Sequence, residues 1–317
     1  MSWLVTGGAG YIGAHVVRVM IADGIEVVVL DDLSTGDATR VRGVPLIIGT
    51  VRDRRLVRDV LRMHAVHGVV HIAAKKQVGE SVTNPLLYYR ENVEGLIAVL
   101  DACQSEGVQH FVFSSSAATY GMPDVDLVTE NTPCAPLSPY GESKLIGEWL
   151  VRDCTTWGLS ATCLRYFNVA GAATPELGDP GAFNLIPLVF RALSRGERPV
   201  VFGDDYPTPD GTCIRDYVHV ADIADAHVVA ARALQAGGPS ATYNVGRGEG
   251  SSVLDVLRVI GEVTGITIEH DVLTRRSGDP ARVVASAEKI RTELGFQAVH
   301  DLGATIESAW AAWPRRH

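Results

Sequence analysis

"LVTGGAGYIGAHVV", residues 4–17, places Gly7, Gly10 and Gly13 three residues apart, between an apolar run and an amphipathic one. The run before the glycines predicts a strand, and the run after them predicts a helix. A loop without Cβ atoms lets backbone N–H groups and the start of the helix approach a pyrophosphate closely. The stretch therefore predicts a dinucleotide-binding turn rather than a glycine-rich turn that serves packing alone.

An acidic pair follows at the end of the second predicted strand. "EVVVLDD" ends in Asp31 and Asp32, 18 residues after Gly13. A carboxylate at this place can accept a hydrogen bond from an adenosine ribose hydroxyl. Two carboxylates would repel a 2′-phosphate, and no arginine follows them immediately, so the predicted cofactor is NAD rather than NADP.

Short β-branched runs alternate with helical periods through the first half of the chain. The predicted strands are "WLVT", "EVVVL", "PLII", "GVVHI", "HFVFS" and "ATCLRY". Amphipathic helices are expected between them at about residues 14–23, 54–64, 88–105 and 140–157. Because this alternation is typical of βαβ units, the predicted fold class is α/β, with a doubly wound, parallel Rossmann sheet of six strands.

The pattern changes after Tyr166, where a stretch rich in glycine and proline precedes shorter helices and strands. We therefore expect two domains. Residues 1–167 would form the NAD-binding Rossmann domain. Residues 168–317 would form a smaller, mixed α/β substrate lobe, with some chain crossing back to the Rossmann domain. The cleft between the two is the expected site.

The composition argues against several classes of function. A net charge of -9 over 317 residues, with no run of Lys and Arg, argues against nucleic-acid and membrane partners. The five cysteines lack a C-x-x-C pair and the ten histidines lack metal-ligand spacing, so neither a disulfide framework nor a metal site is expected. With no signal peptide and no apolar run near the roughly 20 residues of a membrane span, we expect a cytoplasmic protein.

Three side chains form a candidate proton-transfer set. Ser116 lies at the end of the fifth predicted strand, where open parallel sheets place their ligands. Tyr140 and Lys144, in "SPYGESK", stand at i and i+4 on one face of the next helix. A free phenol titrates near pH ~10, so a tyrosine base needs the positive charge that Lys144 and an oxidised nicotinamide supply. Y-x-x-x-K alone is common, but the serine strand and the dinucleotide loop upstream favour catalysis.

Together these features resemble the extended branch of the short-chain dehydrogenase/reductase superfamily, whose Ser-Tyr-Lys set they match residue by residue. The residues after Ser116 narrow the reaction. Nucleotide-sugar 4,6-dehydratases carry an Asp-Glu pair there, and UDP-glucuronate decarboxylases keep the glutamate. This chain has Ala117 and Ala118 instead, which cannot transfer a proton.

The resemblance is closest to the UDP-glucose 4-epimerases and runs nearly end to end. It rests on "VVFGDDYPTPDGTCIRDYVHVADIADAH" (residues 200–227), "KKQVGESVTNPLLYYRENVEG" (75–95) and "LRYFNVAGA" (164–172). It implies NAD-dependent epimerisation of a UDP-hexose at C4, between UDP-glucose and UDP-galactose. Tyr140 would take the proton of the 4-hydroxyl while C4 gives hydride to NAD. The transient 4-keto sugar then turns and receives the hydride on its other face.

The resemblance also implies which residues bind. For the cofactor they are Gly7, Gly10, Tyr11, Ile12, Gly13, Asp31, Asp32, Lys76, Asn92, Tyr140 and Lys144. For the UDP-sugar they are Ser116, Asn168, Asn184, Leu185, Val200, Phe202, Arg215, Arg276, Asp279 and Val283. The two arginines suit a diphosphate. A homodimer is expected through the helices at about 88–105 and 140–157, because both carry apolar residues on more than one face.

Two positions depart from the family. Thr50 stands where the family usually has an aspartate near the adenine, which implies weaker NAD binding. Val283 stands at the position that limits the space around C2 of the sugar, and valine leaves room for an acetamido group. UDP-N-acetylglucosamine is therefore an alternative substrate, and the adjacent Arg282 makes UDP-glucuronate another. A dehydrogenase/reductase and a non-catalytic NAD-binding protein are less favoured alternatives.

Overall fold

The computed structural model describes residues 1–181, 183–276 and 278–314. Its strands, in chain order, are β1 Ser2–Thr6, β2 Glu26–Asp31, β3 Leu46–Ile48, β4 Val66–His71, β5 His110–Ser116, β6 Ser160–Tyr166, β7 Asn168–Ala170, β8 Val200–Phe202, β9 Ile214–His219, β10 Ala241–Val245, β11 Gly250–Ser252, β12 Asp271–Leu273 and β13 Arg282–Val283. Its α-helices are α1 Tyr11–Ala22, α2 Arg54–Met63, α3 Val78–Thr83, α4 Pro85–Tyr88, α5 Gly95–Glu106, α6 Pro139–Asp153, α7 Leu185–Ser194, α8 Val220–Gln235, α9 Val253–Thr264, α10 Glu288–Leu294 and α11 Leu302–Ala311.

The predicted doubly wound parallel sheet is confirmed. Its seven strands lie in the order β10-β6-β5-β4-β1-β2-β3, and every neighbouring pair is parallel. The chain winds outward from β1 to β3 on one side and then from β4 to β6 on the other. The direction reverses between β1 and β4, so the carboxyl ends of these two strands border the crevice where such sheets bind ligands.

The seventh strand, β10, lies outside the six that the sequence predicts. It comes from the C-terminal half of the chain and pairs with β6 after the long helix α8. Its apolar pattern is interrupted by Asn244, which is fully buried. The Asn244 amide accepts a hydrogen bond from the Tyr120 hydroxyl at 2.7 Å and donates one to the Val128 carbonyl at 2.8 Å. These bonds explain how a polar residue occupies the interior of a strand.

Alternate residues of the central strands face opposite sides of the sheet, and each side has its own core. On one side, α1 and α8 pack against Val5, Val29 and Val112. On the other side, α2 and α5 pack against neighbours such as Leu4 and Phe111. The result is a three-layer arrangement that fixes the strand ends, and therefore the residues that follow them.

The helix bounds differ from the expected ones at three places. The helix expected over 140–157 ends at Asp153 and is followed by a 3₁₀ turn at Cys154–Trp157. Helix α1 begins at Tyr11, directly after the glycine loop, and not at residue 14. The helix expected over 88–105 is three consecutive segments: α4, a π-helical stretch at Tyr89–Glu94, and α5. The π-helical stretch carries Asn92, whose amide is bonded to the backbone of Lys75. Such stretches are frequent beside functional sites.

The remaining elements form a smaller layer at the carboxyl end of the large sheet. Strand β9 pairs with β7 and β13 in parallel and with β11 antiparallel, and β8 pairs with β12. Helices α7, α9 and α11 share one apolar cluster there. Helices α8 and α10, with β10, return to the large sheet.

No helix in the described ranges is both long enough and apolar enough to cross a bilayer. All five cysteines carry free thiols. Within residues 1–181, 183–276 and 278–314, no three histidine, cysteine or acidic side chains are grouped as metal ligands.

We expect Asn244→Ala to lower the free energy of unfolding by about 1–3 kcal/mol, because the buried Tyr120 hydroxyl loses the acceptor of its proton and the Val128 carbonyl loses one of its two donors. The midpoint of urea denaturation measures this. Asn131→Ala is the matched control, because Asn131 is exposed. Equal midpoints for the two variants would contradict the assignment.

Candidate active site

The glycine loop is packed too closely for side chains. Gly7 has a φ of +70°, and a Cβ there would lie 2.7 Å from the backbone nitrogen of Ala73. A Cβ at Gly13 would overlap the carbonyl oxygen of Gly7 and lie 2.7 Å from Cα of Gly8. No side chain caps helix α1 at Gly10. The backbone N–H groups of its first turn are therefore available to an anion, which fits the pyrophosphate of a dinucleotide.

A cavity extends from this loop across the carboxyl ends of the central strands. Ten of the eleven residues predicted to bind the cofactor line it, namely Gly7, Gly10, Tyr11, Ile12, Gly13, Asp31, Asp32, Lys76, Tyr140 and Lys144. Thr50, Glu80 and Tyr166 also line it, as do Asp179 and Phe183 from the segment that follows β7. The structure thus brings together residues from distant parts of the sequence around one elongated space.

Asn92 is the predicted cofactor residue that does not line this cavity. It is buried behind the wall, where its side chain accepts from the Lys75 N–H at 2.8 Å and donates to the Lys75 carbonyl at 3.0 Å. Its amide also donates to the Ser143 hydroxyl at 2.9 Å. Asn92 therefore fixes the backbone beside Lys76 against helix α6, and its contact with the cofactor stays a prediction.

Asp31 is buried at the end of β2. Its carboxylate accepts from the N–H of Ala9 at 2.9 Å and from the N–H of Leu33 at 2.8 Å. Burial raises the pKa of Asp31, and these two hydrogen bonds act in the opposite direction. The contact with Ala9 ties the acid to the glycine loop, so both parts of a nucleotide-binding site are held in one geometry.

Helix α6 positions the tyrosine and the lysine. The Ser138 hydroxyl caps the helix by accepting from the N–H of Gly141 at 3.2 Å. Tyr140 and Lys144 are both buried, and Ser116 at the end of β5 lies within hydrogen-bonding reach of the Tyr140 phenol. The Lys144 ammonium donates to the Ser114 carbonyl at 2.7 Å. The three predicted side chains therefore lie together, with Tyr140 and Lys144 lining the cavity and Ser116 behind its lining.

The electrostatics differ from the expectation that Lys144 lowers the pKa of Tyr140. Burial raises the pKa of Tyr140, with only the Ser116 hydroxyl acting against it. Burial also lowers the pKa of Lys144 to about 8, against the charge of Glu148. Desolvation disfavours the charged form of each group, and among the protein's own groups it is the dominant influence on the phenol.

Two pairs around this corner escape the sequence analysis. Glu148 and Arg165 form a buried ion pair at 2.5 Å beneath Lys144. The Tyr88 hydroxyl donates to Glu80 at 2.8 Å, and its ring packs edge-on against Tyr140 with centroids 6.4 Å apart. The arginine inside the apolar run "ATCLRY" is the signal that could have identified the first pair, because a buried arginine needs an acidic partner.

The predicted substrate residues, Ser116 apart, lie on the smaller layer. Arg215 and Asp279 bind each other, with Nη2 and Oδ1 2.5 Å apart. The Arg276 guanidinium lies 3.8 Å from the centroid of the Phe202 ring. The others are Asn168 and Val200 in strands, Asn184 and Leu185 at the start of α7, and Val283, which is buried beside β9.

Comparisons with known proteins agree with this geometry. A sequence model of the "NAD dependent epimerase/dehydratase family" matches residues 3–246. The UDP-glucose 4-epimerase of Halalkalibacterium halodurans is 43% identical and is aligned over 100% of this chain and 96% of its own length. The chain belongs to this NAD dependent family.

Solved structures of epimerases have the same fold as this chain. The UDP-glucose-4-epimerase of Stenotrophomonas maltophila, with bound NAD and formylated UDP-arabinopyranose, is 40% identical with a TM-score of 0.95, over 98% of this chain and 97% of that one. The UDP-Glc/GlcNAc 4-epimerase of Campylobacter jejuni is 38% identical with a TM-score of 0.86, over 98% of each chain.

Gly13→Ala is expected to abolish NAD binding, because the added methyl group collides with the loop backbone. Isothermal titration with NAD measures this. Gly79→Ala is the matched control, since a Cβ at Gly79 would meet nothing within 4 Å. Unchanged affinity in the Gly13 variant would show that the dinucleotide does not bind at this loop.

Proposed function

We propose that this chain catalyses the NAD-dependent epimerisation of a UDP-hexose at C4 and interconverts UDP-glucose and UDP-galactose. The observation that carries this is that Tyr140 and Lys144 line the cavity that begins at the glycine loop, with Ser116 within hydrogen-bonding reach of the Tyr140 phenol. Residues 1–167 hold NAD, and residues 168–317 hold the UDP-sugar.

The protein's residues divide the work between holding the cofactor and moving one proton. The glycine loop and Asp31 hold the pyrophosphate and the adenosine ribose. Bound NAD would supply the hydride acceptor for C4 and the donor for the 4-keto sugar. Tyr140 takes the proton of the 4-hydroxyl and returns it, with Ser116 holding that hydroxyl in place. Ala117 and Ala118 offer no second acid, so elimination does not compete.

Charge near the phenol decides when it works as a base. Burial keeps Tyr140 protonated by itself, so its proton is lost only when positive charge is present. Lys144 supplies this charge as long as its ammonium is protonated, and a cationic nicotinamide adds to it. The Lys144 ammonium donates to the Ser114 carbonyl at 2.7 Å, and this bond orients it. Lys144 and Tyr140 lie on the same helix, α6.

The UDP portion is held by the smaller layer. Arg215 and Arg276 bind the diphosphate, and Asp279 accepts from the uridine ribose. Uracil packs beside Val200 and Phe202, and the start of α7 at Asn184 and Leu185, together with Asn168, completes the site. A firm grip on the nucleotide leaves the hexose free to turn between the two hydride transfers.

Val283 supports a second substrate. It occupies the position beside the sugar C2, and valine is small enough to admit an acetamido group. The Campylobacter relative is described as acting on both UDP-Glc and UDP-GlcNAc. UDP-N-acetylglucosamine is accordingly the favoured alternative, with UDP-glucuronate third.

We expect NAD-loaded protein to convert UDP-glucose into UDP-galactose with no net accumulation of reduced nicotinamide. Separation of the 4-epimers after incubation with UDP-glucose, UDP-N-acetylglucosamine or UDP-glucuronate measures this. Tyr140→Phe should lower the rate by about 10²–10⁴-fold, because the proton acceptor is lost. Tyr89→Phe is the matched control, because its hydroxyl is bonded to Glu142 away from the cavity. Full activity of Tyr140→Phe, or no epimer from any substrate, would overturn the proposal.

A homodimer accounts for an exposed apolar face on the helices around the site. Leu86 is 65% exposed, Ile97 is 47% exposed and Trp149 is 47% exposed. They lie on α4, α5 and α6, which pack side by side. An aromatic side chain surrounded by aliphatic ones is typical of a protein interface.

The five free thiols fit a reducing cytoplasm.

Trp149→Glu is expected to convert the dimer into a monomer, because it buries an unpaired carboxylate in the interface. Sedimentation velocity of the wild type and the variant at equal concentration measures this. Met63→Glu, at a residue 76% exposed on α2, should remain dimeric. A monomeric wild type would refute the assembly.

A further inference from the structure

Glu148 lies one helical turn after Lys144 on α6, and both side chains are buried, at 6% and 4% exposed. The Lys144 ammonium faces the Ser114 carbonyl and lies 5.1 Å from the centroid of the Phe113 ring. This is an apolar setting for a cation, and burial lowers the pKa of Lys144 to about 8 even though the negative charge of Glu148 acts in the opposite direction.

Glu148 is itself held by Arg165. The carboxylate accepts from Nε at 2.8 Å and from Nη2 at 2.5 Å, and it also accepts from the Ser115 hydroxyl. The third side of the guanidinium donates to the Tyr120 hydroxyl at 2.8 Å. Such a two-point contact fixes both the orientation and the charge of the acid, at a fixed place below Lys144.

The other titratable groups that face Lys144 come from α6 and from the strands and helix packed on it. Burial raises the pKa of Tyr140 and of Tyr166 on β6. Burial lowers the pKa of His71 on β4 to about 3 and that of His227 on α8 to about 4. The two histidines therefore stay neutral between about pH 5 and pH 9, and the two phenols stay protonated there unless positive charge is brought to Tyr140. Among these protein groups, Lys144 is the one whose own pKa lies in that range.

We propose that Glu148 and Arg165 are positioning residues, which keep the Lys144 ammonium charged and directed at Ser114 beneath the Tyr140 phenol. The catalytic consequence rests on the proposed function; the effect on Lys144 does not. Glu148 supplies the countercharge, and Arg165 keeps that countercharge in place. An opposite charge within about 4–6 Å typically shifts a pKa by about 1–3 units, which is enough to decide whether a lysine with a pKa near 8 is charged at neutral pH.

The geometry of Glu148 and Arg165 predicts the direction in which each substitution shifts the pKa of Lys144. In Glu148→Gln the anion disappears and the Arg165 cation is left uncompensated, so both changes favour the neutral amine. In the double variant Glu148→Gln/Arg165→Met both charges go. Because Glu148 shares a helix face with Lys144, the neutral amine is still favoured, but less strongly. The double variant also folds without an unpaired buried charge.

Lys144 can be observed directly, because the chain has only four lysines, Lys75, Lys76, Lys144 and Lys289. NMR titration of the ε-methylene groups in lysine-labelled, NAD-saturated protein gives four signals. The signal lost in Lys144→Arg assigns the residue. We expect the Lys144 midpoint to fall by about one pH unit or more in Glu148→Gln and by less in the double variant. Glu142→Gln, the same change on the same helix, should leave it unmoved.

Unchanged midpoints in both Glu148 variants would overturn the proposal, and so would an equal shift in Glu142→Gln. The readout requires no turnover, so it stays valid if none of the UDP-sugars reacts. Where epimerisation is observed, the fall of kcat/KM at high pH should move to lower pH together with the Lys144 midpoint. A substitution that only damaged the fold would lower kcat/KM at every pH, and the pH at which kcat/KM falls would stay the same.

Discussion

The position of the whole site depends on how closely helix α1 approaches the end of strand β1. The approach is possible only because Gly7 and Gly13 lack side chains: a Cβ on either would lie within 2.8 Å of backbone atoms. This contact places the first turn of α1 beside the crevice between β1 and β4. It also brings the N–H of Ala9 to Asp31 at 2.9 Å. The positions of the glycine loop, the first turn of α1 and Asp31 therefore follow from one steric constraint.

At the opposite corner of the cavity, burial is the main influence on the pKa values of Tyr140 and Lys144. Helix α6 sets Tyr140 and Lys144 into an apolar environment, which disfavours the phenolate and the ammonium alike. On the proposed function, a phenol that loses its proton only when positive charge is near would couple proton transfer to the charge state of the cofactor. The buried Glu148–Arg165 pair extends this control one turn deeper into the protein. The site is thus tuned by desolvation, with a few fixed charges working against it.

Local patterns were enough to predict the fold class and the residues around the cavity. The glycine spacing, the acidic end of β2 and the i, i+4 pair are short-range features that report on one turn or one strand end. The rest depends on contacts between distant segments. Strand β10 was missed because Asn244 breaks its apolar run, and its partners lie at Tyr120 and Val128. The surroundings of Asn92 could not be predicted for the same reason: they depend on how a π-helical stretch packs on Lys75 and Ser143.

In the smaller layer, the two arginines that are predicted to bind the nucleotide are already in contact with other side chains. Arg215 and Asp279 are bonded to each other at 2.5 Å, and the Arg276 guanidinium lies over the Phe202 ring. On the proposed function, a base stacking on that face of the ring would take the place of the guanidinium, which would then be free to meet a phosphate. A diphosphate would offer both arginines charge-assisted bonds in exchange for the Asp279 carboxylate and the Phe202 ring. Binding would therefore rearrange arginines that are already in place, and the energy gained from the nucleotide would hold the substrate while the sugar itself stays loosely bound.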